Sequence, residues 1–144
     1  MNRLSFDVTD KEGAVAITPS IDGVALSALV TDFERSNGYS DPAGGYGGIV
    51  PAFFSYGPLE VYFRGQAGNQ GEGDRDDEIY VLACDCGEVG CWPLMASVVP
   101  TEDGYRWEGF RQPHRPSRDY SAFGPFEFER RQYEEEIGSL PRDE

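Results

Sequence analysis

The sequence predicts an α+β fold, an antiparallel sheet of about six strands with two amphipathic helices packed on it. Three observations carry that reading. Short segments with apolar residues at every second position recur along the chain, as half-buried strands require. A chain with 18 glycines and 10 prolines has too many breakers for a helical bundle, and turns between short strands accommodate them. Only two stretches carry apolar residues at helical spacing.

Leu4, Phe6 and Val8 alternate with polar neighbours and predict a first strand. Asp10 to Gly13 read as a turn and Ala14 to Ile17 as a second, short strand, which together make an N-terminal hairpin. Leu26, Leu29, Val30 and Phe33 then form one apolar stripe, predicting a helix over about Val24 to Ser36 with Asp22 as its N-cap and Asn37-Gly38 as its stop. Gly38 to Gly57 reads as a loop pinned by aromatic residues. Glu60 to Arg64 has a strand-like centre in Val-Tyr-Phe, and the acidic, glycine-rich Gly65 to Asp77 reads as a long hairpin loop. Glu78 to Ala83 is the strongest buried-strand signal. Leu94 to Val99 and Tyr105 to Phe110 follow, joined by Pro-Thr-Glu-Asp-Gly as a hairpin. The run from Gly124 to Phe128 reads as a loop with aromatic anchors. Phe128, Tyr133, Ile137 and Leu140 suit a closing helix that ends near Gly138.

A chain of 144 residues falls in the usual range of one domain, so residues 1–144 are taken as a single unit. Aromatic residues at 13% supply large side chains for its interior. Twelve basic residues against 26 acidic ones leave a net charge of -14. Such a surface repels nucleic acid, whose phosphates need Lys and Arg to displace their counterions, and it repels anionic lipid. It favours encounter with a basic protein partner, although net charge also simply keeps a protein soluble. The first twenty residues hold no basic segment followed by an apolar one, and no apolar run approaches a membrane span. Three cysteines do not make a disulfide scaffold, which leaves the cytoplasm as the expected location.

The chemistry-bearing segment reads Cys84-Asp-Cys86-Gly-Glu-Val-Gly-Cys91-Trp-Pro. Glycines between the second and third cysteines let the chain fold back, and His114, the sole histidine, lies one predicted hairpin further on. Cys84, Cys86, Cys91 and His114 would complete a tetrahedral zinc site of the structural type. Cys-x-Cys is tighter than the usual ligand pairs, so small buried hydrophobes at a strand end, a Cys86–Cys91 disulfide and a reactive thiol with His114 as its base all remain open.

Between Arg106 and Tyr120 the charge pattern reverses. Arg106, Arg111, Arg115 and Arg118 surround His114, interleaved with Tyr105, Trp107, Phe110 and Tyr120. Guanidinium forks suit carboxylate or phosphate, so these arginines are a candidate anion-binding set; the alternative is that they pair with the chain's own acids. The acids at Asp74, Asp76, Asp77 and Glu78 lack the glycine and glutamate pattern of a calcium loop. No phosphate-cradling glycine loop, His-x-x-x-His or Gly-x-Ser-x-Gly is present.

Three motifs carry a resemblance: Leu82-Ala-Cys-Asp-Cys-Gly-Glu-Val-Gly-Cys-Trp-Pro-Leu94, then Trp107 through Phe110-Arg-Gln-Pro-His-Arg-Pro116, then Asp119-Tyr-Ser-Ala-Phe-Gly-Pro-Phe-Glu-Phe128. Over about residues 79 to 137 the chain resembles a family of small, uncharacterised bacterial proteins. The acidic loop from Gly65 to Asp77 departs from that family's pattern. The resemblance implies a bacterial, cytoplasmic protein and transfers no catalytic residue.

The expected function is a non-catalytic acidic interaction protein, of the immunity or inhibitor type, with a structural cysteine segment that is a candidate zinc site. The alternative is a metal- or thiol-dependent enzyme or sensor built on Cys84, Cys86, Cys91 and His114. A small-molecule binder using the arginine–aromatic stretch ranks third. The sequence does not specify an oligomeric state.

Overall fold

In the computed structural model, residues 1–11, 13–39, 46–50, 58–66, 77–84, 93–113, 115 and 117–140 are described, those at 11 and 84 by backbone alone. The expected α+β class holds, but the strands divide between two antiparallel sheets and a third, short helix joins the expected two.

β1 (Leu4–Lys11), β2 (Ala14–Ile21) and β3 (Val24–Ala25) form the smaller sheet in that order. The second strand runs four residues beyond its predicted end. Pro19 is tolerated there because it faces Phe6 at a position whose N–H points away from β1, so the ladder loses no bond. Asp22 does not cap the first helix as expected. It forms the β2–β3 turn with Gly23; both have positive φ (55° and 82°), and Ile21 pairs with Val24.

From that turn the Asp22 carboxylate accepts hydrogen bonds from Asn2 Nδ2 (2.7 Å) and the Arg3 N–H (2.8 Å), which together hold its pKa below the usual aspartate range. A depressed pKa stabilises the fold above the unfolded-state value, and the contribution disappears as pH falls through the folded-state value. The stability advantage of the wild-type chain over Asp22→Asn is accordingly expected to shrink between about pH 5 and about pH 2 in acid titrations. A gap constant over that window would show that the carboxylate charge has no part in the turn.

α1 (Leu26–Ser36) turns the predicted stripe to the core, with Leu26 and Val30 buried and Leu29 and Phe33 partly so. Its N-cap is Ala25. The predicted strand at Glu60 to Arg64 is instead α2 (Leu59–Tyr62), a single helical turn after Pro58. Helical spacing places Leu59, Tyr62 and Phe63 together in the core, whereas a strand would split them between two faces. Tyr62 fixes this turn to the larger sheet: its hydroxyl accepts the Tyr80 N–H (2.6 Å) and donates to the Tyr80 carbonyl (2.8 Å).

The larger sheet has the order β4 (Tyr46–Gly47), β5 (Glu78–Cys84), β6 (Leu94–Pro100), β7 (Gly104–Arg111) and β8 (Phe126–Glu129). The expected β6–β7 hairpin is present. Gly109 (φ +64°) lies in the register shift between that pair, where a left-handed residue lets one strand bulge. Gly104 admits β8 alongside: a Cβ there would lie 2.0 Å from the Phe128 carbonyl oxygen. β8 falls where a loop was expected, with Phe128 buried and Glu127 and Glu129 exposed, as alternation demands.

Two isolated bridges join the sheets. Asn2 pairs with Phe128 beside β8, and Ile49, two residues past β4, pairs with Ile17 of β2. Both edges of the five-stranded sheet thus meet the N-terminal hairpin, and the strands describe a nearly closed ring. One apolar cluster drawn from both sheets and all three helices fills it. α3 (Arg130–Gly138) runs beside β1 with the Glu129 side chain capping its first turn. The Gln132 amide accepts the Leu4 N–H (2.9 Å) and donates to the Leu4 carbonyl (2.5 Å), so a side chain stands where a neighbouring peptide group would. No helix among the described residues is long and apolar enough to cross a membrane.

Candidate functional site

Leu26, Val30 and Glu34 recur at intervals of four on α1, and all three are buried. A carboxylate on the inward stripe of a helix needs donors in place of water. The Tyr46 and Tyr120 hydroxyls each donate to Glu34 Oε2 at 2.5 Å, and Arg118 Nη1 lies 3.4 Å from the same oxygen. Gln112 Nε2 donates to the Tyr46 hydroxyl (2.6 Å). Arg118, whose side chain is 9% exposed, also lies over the Tyr39 ring at 5.2 Å, and the Tyr39 hydroxyl accepts the Asp119 N–H. Helix, larger sheet and the segment after β7 therefore meet at one carboxylate.

Burial, then the bond to Glu34, raises the Tyr46 pKa far above that of free tyrosine. The same causes push Tyr120 up to about 12. Both phenols stay protonated near neutral pH and act as donors to Glu34, so neither serves as a phenolate base. An open hollow of about 330 Å³, lined by Ser27, Ala28, Thr31, Asp32, Arg35 and Tyr46, lies on the outer side of α1.

The four arginines of the candidate anion set engage separate partners in the chain. Arg111 grips Glu78 with both arms of its fork (Nε to Oε2 2.7 Å, Nη2 to Oε1 3.2 Å), and Glu78 is buried. Arg118 serves Glu34. Arg106 sits 2.5 Å from Glu108 and 4.0 Å from Glu127 on the surface, where such pairs contribute little. Arg115 Nη1 reaches Gln112 Oε1 at 3.5 Å.

Of the candidate zinc ligands, Cys86, Cys91 and His114 lie outside the described residues, and Cys84 is described by its backbone alone, at the end of β5 opposite Tyr46. Among the described residues no group of three His, Cys, Asp or Glu side chains could hold a metal ion. Gln112, two positions before His114, reaches across to Tyr46 and so approaches the strand pair at which the cysteine segment begins.

Glu34 and Tyr46 belong to none of the motifs, and Gln112 lies within the Phe110 to Pro116 motif without a role assigned to it. For Glu34 the one signal in the sequence is that it continues the four-residue interval from Leu26 and Val30. The chain matches no protein-family model, and no curated protein or solved structure matches it at a significant level.

Proposed function

We propose that the chain is a non-catalytic, acidic interaction protein of the immunity or inhibitor type, which receives a basic protein partner on its surface carboxylates. One observation carries this reading. Arg111 and Arg118 pair with the buried Glu78 and Glu34, so these two pairs cancel and the net charge of -14 rests on the chain's other charged groups. The field that a partner meets is correspondingly negative, and such a field speeds encounter with a positive surface.

The test is affinity capture from the source cells, followed by measurement on the purified pair at about 50 mM and about 300 mM salt. The expected result is a basic partner whose affinity falls by about tenfold or more between the two, because exposed charges are screened. Equal affinity at both salt levels sinks the proposal.

A second reading, a structural zinc site at Cys84, Cys86, Cys91 and His114, draws support from the Gln112–Tyr46 contact, which brings the chain near His114 toward the end of β5. Zinc analysis of the purified full chain decides it. One tightly held zinc with thiols closed to labelling agrees with a structural site, and metal-free chain with rapidly labelled thiols favours the thiol-based alternative.

A further inference from the structure

The two contacts that flank the N-terminal hairpin fix which way each backbone group in it points. The N–H and carbonyl of Leu4 both go to Gln132, and those of Ile17 both go to Ile49. Leu4 faces Ile21 and Val8 faces Ile17, so these are the wide pairs of the ladder, and Ser5, Asp7 and Thr9 are the ones bonded to β2. By the same alternation Phe6, Val8 and Asp10 turn their N–H and carbonyl groups to the open side of β1. No hydrogen bond from the described residues reaches them. Asp7, Val8, Thr9 and Asp10 are all exposed.

An edge of this kind is a template for another strand. Val8 is 47% exposed, and Val15, on the same face of the sheet, is 40% exposed. Between Arg3 and Lys11 the only charges on β1 are Asp7 and Asp10. Two copies of such an edge would set Asp7 and Asp10 against their own kind, which disfavours self-pairing.

We infer that the outer edge of β1, from Phe6 to Asp10, takes up an extended basic segment of the partner protein as an added strand. The inference rests on the basic-partner reading above and names the surface. Basic residues belong opposite Asp7 and Asp10, and an apolar one opposite Val8. An antiparallel visitor therefore reads basic, any residue, apolar, basic.

The probe is a synthetic peptide with Arg-Thr-Val-Arg at its centre, compared with a version of equal charge broken by prolines, on the isotopically labelled full chain. Amides of Ser5, Asp7 and Thr9 are expected to exchange slowly already, and the peptide is expected to slow those of Phe6, Val8 and Asp10. Val8→Pro removes an outward donor without touching the β1–β2 ladder, and it is expected to weaken the peptide by about tenfold. If that variant does not fold, Asp10→Arg is expected to weaken it by a similar factor. Peptide binding that leaves the three amides unprotected, or that proline interruption does not impair, overturns the edge and leaves the basic-partner reading standing. Absence of peptide binding overturns the edge too, while the salt experiment on the captured partner decides the broader reading. Protection of the same amides without peptide, growing with protein concentration alongside a sedimenting dimer, assigns the edge to a second copy and overturns the inference.

Discussion

Glu34→Ala is expected to destabilise the chain by about 3–5 kcal/mol, the range for removing one member of a buried ion pair. The substitution strips Arg118 of a buried counter-charge and takes from the Tyr46 and Tyr120 hydroxyls the oxygen they share. Each of those donors was desolvated on folding, and unmade bonds at such groups cost more than made ones contribute. Glu34→Gln keeps the shape and one accepting oxygen and should lose about half as much. Urea unfolding followed by far-UV circular dichroism measures both. A loss below about 1 kcal/mol for the alanine variant would mean that water replaces the carboxylate, and the cluster would then not be the joint described above.

Trp107→Ala is expected to cost a similar amount, about 3–5 kcal/mol, by a different route. Trp107 is fully buried, edge-on to Phe128 at 5.2 Å and to Tyr133 at 6.4 Å. Its Nε1 donates to the Tyr133 hydroxyl (3.0 Å), which in turn donates to the Phe63 carbonyl. Truncation leaves a cavity where β7, β8 and α3 meet and also cuts that relay. Tyr133→Phe keeps the volume and cuts only the relay, so a loss of about 1–2 kcal/mol is expected for it. If the two variants lose the same amount, the hydrogen bonds and not the packing hold this corner together.

The parts of the fold legible in the sequence were those specified by local pattern. The buried run of β5, the hairpin of β6 and β7, and the Leu26–Leu29–Val30–Phe33 stripe are each decided within one short, continuous stretch of chain. Val61, Tyr62 and Phe63 favour a strand by propensity, and the core that receives Leu59 with them selects the helical turn instead. β8 carried alternation in Phe-Glu-Phe-Glu, but the preceding glycine and proline argued for a loop. How the two sheets meet depends on pairings between distant residues, such as Ile17 with Ile49, which no local window contains. The candidate site was hidden for the same reason. A glutamate in an amphipathic helix reads as solvated, and its burial follows only when Tyr46 and Tyr120 arrive from elsewhere in the chain.

The bond between Asn2 and Glu127 links positions 125 apart. During synthesis the β1–β2 hairpin leaves the ribosome first, and its partner beside Asn2 follows only after roughly 6–25 s at ordinary elongation rates. For that interval β1 has neither Gln132 nor β8 beside it, and the nascent chain carries a whole unpaired flank. Asp7 and Asp10 sit on that flank, so like-charge repulsion works against pairing between neighbouring nascent chains until the segment with Glu127 and Gln132 docks.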